Sequence, residues 1–208
     1  MARKIWRYLR SPLLLGTIWV ILVLVGMDHL LNYAQRAGDP AQPPTEWPMT
    51  SSIAHAPGKS QLIMVAHPRC PCTRASVEDL SQLMAHCQGS VQAHVLFLVP
   101  DGAADRWSVT DLWRSAALIP GVEVVLDRAG REASRFRVET SGETLLYGPD
   151  GRLLFSGGIT ASRGHAGDNP GSDAILSLLL LKKPATNTTP VYGCPLFDRR
   201  TAAPSEIL

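Results

Sequence analysis

No acidic residue precedes Asp28, no internal repeat occurs along the chain, and only four cysteines are present. The chain also has neither a glycine-rich phosphate cradle nor a basic patch of the kind that grips nucleic acid. Each absence excludes something. Without a phosphate loop there is no case for a nucleotide. The run Gly148-Pro149-Asp150-Gly151 reads as a hairpin turn, so no organic cofactor is expected. Four of the 20 Lys and Arg residues (Arg3, Lys4, Arg7 and Arg10) stand ahead of an apolar span, leaving 16 against 18 acids in the remainder. That remainder is slightly acidic, which excludes a nucleic-acid partner.

What is present begins with the apolar span. Pro12 to Met27 is uncharged, with Leu30 and Leu31 beyond it. Cations before the span and an acid after it match the positive-inside rule. No small-x-small cleavage site follows promptly, and no cysteine near its end could carry a lipid. Residues 1–35 therefore read as a cytoplasmic basic flank and an uncleaved, single-pass anchor. The expected location is a bacterial inner membrane, with the soluble part in the periplasm. Cysteines exported there are in a compartment where disulfides persist.

Residues 36–60 hold Pro40, Pro43, Pro44, Pro48 and Pro57 among small and polar residues, and read as an extended linker. A second low-order stretch starts near Lys182, so residues 184–208 read as a flexible tail carrying Cys194. Between them, residues 61–183 make up about 120 positions, enough for one compact domain and too few for two.

Within that domain strand and helix alternate. Leu62 to Ala66 is an unbroken apolar strand, and Ala75 to Cys87 is a helix with Val77, Leu80, Leu83, Met84 and Cys87 on one face. Cys87 is thus a core candidate. Val91 to Val99 is a second strand, Thr110 to Leu118 a helix, Val122 to Leu126 a third strand, and Arg131 to Phe136 a helical turn or two. Thr144 to Tyr147 and Arg152 to Phe155 flank the hairpin turn. Asp173 to Leu181 closes the domain as a helix, with Asp168, Asn169 or Ser172 as its cap. The pattern is an α/β fold with a mixed sheet.

The chemistry sits between the first strand and the first helix, in His67-Pro68-Arg69-Cys70-Pro71-Cys72-Thr73. Pro71 suits the first helical position, which makes Cys70 the N-cap, with its sulfur toward the N–H groups of Cys72 and Thr73. A helix N-terminus favours a thiolate, and Arg69 and Arg74 add positive charge. A structural disulfide or a metal site is the plainer reading of the pair. A Cys70–Cys72 bond is geometrically allowed only if Cys70 stays outside the helix, and it would be strained and oxidising. Cys194, in Val191-Tyr192-Gly193-Cys194-Pro195, either staples the tail or resolves a disulfide at Cys70 or Cys72.

The order of elements around this motif resembles the thioredoxin-like superfamily, in its membrane-anchored TlpA/ResA-like branch. The resemblance spans Gln61 to Leu181 and rests on Val65-Ala66, Pro71-Cys72, Asp127 through Gly130, Phe136-Arg137-Val138 and Pro149-Asp150-Gly151. HPRCPCT, GGITASRGHAGDN and GCPLF together look most like RedB-type proteins. The resemblance implies a thioredoxin-like three-layer fold with a mixed central sheet, preceded by one N-terminal transmembrane helix. It also implies a thiol-disulfide oxidoreductase working on periplasmic protein thiols or disulfides. Cys70 is then the attacking thiolate and Cys72 or Cys194 the resolving one. Two departures stand out: Arg69 occupies the place of the family's first cysteine, and Gly142 the place of its cis-proline.

The alternative is copper. Two thiolates with His67, three residues before Cys70, and His165, in a glycine-rich loop, would offer Cu(I) a soft site. The Sco-like proteins of the same superfamily handle copper, with cysteines spaced differently.

Overall fold

The computed structural model describes residues 12–181 and 186–197. The basic flank at Arg3, Lys4, Arg7 and Arg10, and the parts of the tail at 184–185 and 198–208, lie outside them. The chain divides into two units, residues 1–36 and 37–208.

The first unit is helix α1, Pro12–Ala34, 23 residues long. It is apolar around its circumference and long enough to cross a membrane. It runs past the apolar span through Asp28 and His29 to Ala34.

The second unit is built on five strands. In chain order they are β1 (Ser60–Ala66), β2 (Val91–Val99), β3 (Val122–Arg128), β4 (Glu143–Tyr147) and β5 (Leu153–Gly158). Their spatial order is β3-β2-β1-β4-β5. β1, β2 and β3 run parallel, while β4 pairs antiparallel with both β1 and β5. The helices are α2 (Pro71–His86), α3 (Asp111–Ala117), α4 (Arg131–Arg135) and α5 (Pro170–Leu176), the last running into a π-helical turn at Ser177–Leu181.

The two-residue period of the strands sorts their side chains into two cores. Leu62, Met64 and Ala66 of β1, with Val91, Ala93, Val95 and Phe97 of β2, face Val77, Leu80, Leu83 and Met84 of α2 and Ile175 of α5. Ile63 and Val65, with Leu96, Leu145 and Tyr147, face Ala133 and Phe136 around α4. Both faces are covered, which is why these strands read as continuous apolar runs rather than alternating ones. The result is a three-layer, thioredoxin-like arrangement with a mixed central sheet. Cys87 is buried at the end of α2, where its thiol donates to the Leu83 carbonyl at 3.0 Å, and burial pushes its pKa up.

The segment read as an extended linker is instead packed against the domain. Trp47 meets Phe136, Tyr147 and His55 with ring centroids 5.2 Å apart in each case. Its indole N–H donates to the Ile53 carbonyl at 3.2 Å. Ser51 and Ser52 donate to the Glu132 carboxylate. The Tyr147 hydroxyl donates to the Pro44 carbonyl at 3.0 Å. The prolines gave this stretch the composition of a tether, but Trp47 and Ile53 give it apolar surface to bury.

Candidate functional site

β1 ends at Ala66, and a tight turn carries the chain into α2. The turn closes through the Cys70 amide on the His67 carbonyl at 3.1 Å. It is pinned from two sides. The His67 amide donates to Ser141 Oγ at 2.7 Å, and Thr110 Oγ1 donates to the Pro68 carbonyl at 3.2 Å. Cys70 is the N-cap of α2, with extended dihedrals (φ −82°, ψ 118°), and Pro71 stands at the first helical position. Its side chain makes no capping hydrogen bond to the helix. The Thr73 amide goes to the Cys70 carbonyl at 3.2 Å, and the sulfur has a further partner besides Thr73.

That partner is Cys194. Its sulfur lies 2.9 Å from that of Cys70, and the sulfurs of Cys70, Cys72 and Cys194 all fall within 4.8 Å of one another. All four cysteines of the chain are free thiols here. Cys70 and Cys72 are only 3% and 6% exposed, so the tail shields the site.

The tail is held by backbone pairing. The Ser156 amide donates to the Asn187 carbonyl at 3.0 Å, and the Gly38 amide to the Val191 carbonyl at 2.8 Å. At the site itself the Ser141 amide donates to the Cys194 carbonyl at 2.9 Å, and the Leu196 amide to the Glu139 carbonyl at 2.8 Å. Residues 139–141 and 194–196 thus form a short antiparallel pair centred on Thr140 and Pro195. Gly193 permits it, because a side chain there would collide with the Ser141 carbonyl oxygen. Leu196 is buried in the core that Ile63, Val65 and Phe136 share.

Gly142 follows this pair with φ +89°, a left-handed conformation that glycine adopts without strain. Its amide donates to the Val65 carbonyl at 2.7 Å, and a side chain there would press on Ser76 Oγ. No cis peptide occurs among the described residues, so the loop is trans. Ser141 Oγ also meets Thr73 Oγ1 at 2.6 Å, which locks the loop to the first turn of α2.

The three thiols are electrostatically unequal. Burial raises the Cys70 pKa, but the contact with Cys194 and those with Thr73 outweigh it and bring it below the ordinary thiol value. Cys194 is pushed up to about 12 by burial and by its hydrogen bond and charge interaction with Cys70. Cys72 is raised by burial and by the charge of Cys70, partly offset by the Arg163 guanidinium. Of the three, Cys70 is the thiol whose ionised form its surroundings favour, and its contact with Cys194 contributes to that.

The cations differ from those singled out in the sequence. Arg74 is paired with Asp111 at 2.6 Å, and Arg69 lies over the Trp107 ring at 4.7 Å. Arg163 serves the site instead. It donates to the Gly193 carbonyl at 2.8 Å and hydrogen-bonds Cys72. It lies in the same glycine-rich loop as His165, and no spacing rule marked it out. Neither histidine joins the sulfur cluster. His67 Nδ1 accepts the Arg69 amide, and its ring stands edge-on to Trp107. The exposed His165 has its Nδ1 3.0 Å from the Arg163 carbonyl. His67 and His165, which the copper reading placed beside Cys70 and Cys72, are not among the side chains that converge here; the third thiol comes from the tail.

No family model and no curated protein matches the chain. Among solved structures it is similar to an uncharacterized conserved protein from Geobacillus kaustophilus, at 16% identity and TM-score 0.56, covering 80% of this chain and 94% of that one. It is also similar to a hypothetical protein from Sinorhizobium meliloti, at 20% identity and TM-score 0.54, covering 77% and 93%. StoA from Bacillus subtilis overlaps more loosely, at 16% identity and TM-score 0.44, covering 66% and 98%. At these identities the likeness is one of fold.

Proposed function

We propose that the protein is a thiol-disulfide oxidoreductase, anchored by α1 in the cytoplasmic membrane with its sulfur site in the periplasm. The observation that carries this reading is the 2.9 Å approach of Cys194 to a Cys70 whose pKa is lowered. In the reducing direction the Cys70 thiolate attacks one sulfur of a protein disulfide and the other leaves as a thiolate. Cys194, after giving up its proton, attacks the Cys70 sulfur of the mixed disulfide. The substrate departs as a dithiol and a Cys70–Cys194 disulfide remains; the oxidising direction is the same sequence reversed. The tail must lift before a protein sulfur can reach Cys70.

The test is a glutathione redox titration of the detergent-solubilised full chain, with the bond located by peptide mapping. The expected product is Cys70–Cys194, and Cys70→Ser abolishes exchange. Exchange that survives Cys70→Ser, or a stable bond that leaves Cys70 free, refutes the reading. Alkaline phosphatase joined after Gly38 should be active and membrane-bound.

A further inference from the structure

We propose that Cys70, Cys72 and Cys194 together form a trigonal, all-sulfur site for Cu(I). The proposal stands apart from the exchange reaction and rests on the placement of the three sulfurs. They converge within 4.8 Å of one another, from two segments far apart in sequence, at a buried helix N-terminus. No carboxylate and no imidazole joins them among the described residues.

The number and type of ligands select the metal. Zn(II) held by three protein ligands takes a water or substrate as its fourth, and here Cys70 and Cys72 are covered from solvent. Thiolates are soft donors that suit Cu(I), zinc and iron–sulfur clusters alike, and of these Cu(I) is the one that a closed set of three sulfurs satisfies. Three thiolates around a single positive ion leave a net double negative charge, which burial alone would penalise. Arg163 faces both Cys72 and Cys194 and offsets part of that charge. The backbone also holds the site together. Cys70 and Cys72 are set by the start of α2, and Cys194 by the Ser141 and Glu139 pairing, so little ordering is left for the metal to impose.

The chemistry balances without an oxidant. Each thiol that coordinates gives its proton to the buffer, copper stays Cu(I), and no electron moves. Forming the Cys70–Cys194 disulfide removes two of the three ligands, so copper loading and that disulfide exclude one another.

The experiment titrates Cu(I) into the reduced, detergent-solubilised full chain against bicinchoninate, with X-ray absorption on the loaded parent. One Cu(I) per chain in a sulfur-only shell of three is expected. Cys194→Ser and Cys72→Ser should each weaken binding by about a hundredfold or more, by analogy with the loss seen when metal-site partners are removed. His165→Ala and His67→Gln should not change it. No stoichiometric binding, a nitrogen in the shell, an affinity indifferent to Cys194→Ser, or loss in a histidine variant overturns the proposal. The absorption measurement is made on the parent and does not depend on any variant folding. Disulfide exchange is measured on the metal-free chain, so either result can fail while the other stands.

Discussion

The Ser141 amide donates to the Cys194 carbonyl at 2.9 Å, and this bond, with that of Leu196 to Glu139, sets the tail's thiol over the N-terminus of α2. Ser141 also receives the His67 amide and meets Thr73, so a single residue ties the strand end, the helix start and the tail together. The site is thus closed by pairing across three segments, and its sulfurs are prearranged.

The first prediction concerns the thiolate. The Cys194 contact helps hold the Cys70 pKa down, so Cys194→Ala should move it upward. The readout is the midpoint of the pH dependence of Cys70 alkylation. The midpoint is chosen because the substitution also uncovers the sulfur and changes the absolute rate. A midpoint that stays put or falls would show that Cys194 does not stabilise the thiolate. In the parent, Cys87 should alkylate more slowly than Cys70 at neutral pH, because it is buried and its pKa is raised.

The second concerns Gly193. A side chain there meets the Ser141 carbonyl, so Gly193→Val should unseat the tail while leaving the core intact. The expected loss of stability is about 1–3 kcal/mol, and Cys70 should become markedly more accessible to a bulky alkylating reagent. Unchanged accessibility would mean that the tail does not cover the site through this contact.

Much of the fold was readable because the parallel strands are covered on both faces. β2 was expected at Val91–Val99 and runs over those residues, since burial on both sides makes it a continuous apolar run. The start of α2 was readable from Pro71, and the Cys70 sulfur interacts with Thr73 as well as with Cys194. Cys194 reaching Cys70 was one of two readings of the tail, but how the tail is held there was not readable. Its pairing uses backbone groups of Ser141 and Glu139, which every residue possesses, and its one permissive feature is the small size of Gly193. Arg163 was missed for a related reason, since a cation in a loop carries no period that says what it will face. In residues 36–60 the prolines favour an extended chain, but the apolar surface of Trp47 and Ile53 decides the outcome.

Trp47 supplies the third prediction. If residues 37–53 are part of the domain, Trp47→Ala should destabilise it by about 2–4 kcal/mol, near the lower end for a fully buried tryptophan. A freely solvated tether would show a change within about 0.5 kcal/mol. Denaturant unfolding of the reduced chain distinguishes the two. The same variant should leave the Cys70 alkylation midpoint unchanged, because Trp47 packs on Phe136 and Tyr147 and not on the sulfur cluster.

The last prediction follows from Glu143, which is 1% exposed at the start of β4. Ser156 Oγ donates to its Oε1 at 3.2 Å, whereas its Oε2 has no partner. Burial lifts its pKa from 4.5 to about 7, against the opposing hydrogen bonds from Ser156 and the Ala41 amide. The unfolded chain releases this proton near pH 4.5 and the folded chain holds it until about pH 7. Between those values the folded state binds more protons, so stability falls as pH rises across the window and levels off above it. The size of the effect is about 3 kcal/mol, from roughly two and a half pKa units at 1.36 kcal/mol each. Glu143→Gln keeps a hydrogen-bonding side chain that does not ionise, so it should remove this slope and be the more stable form at pH 8. The measurement is the difference between parent and variant unfolding free energies from pH 4 to pH 8, which cancels the other titrating groups. A difference that is flat with pH, or that favours the parent increasingly as pH rises, would show that Glu143 is charged in the folded protein.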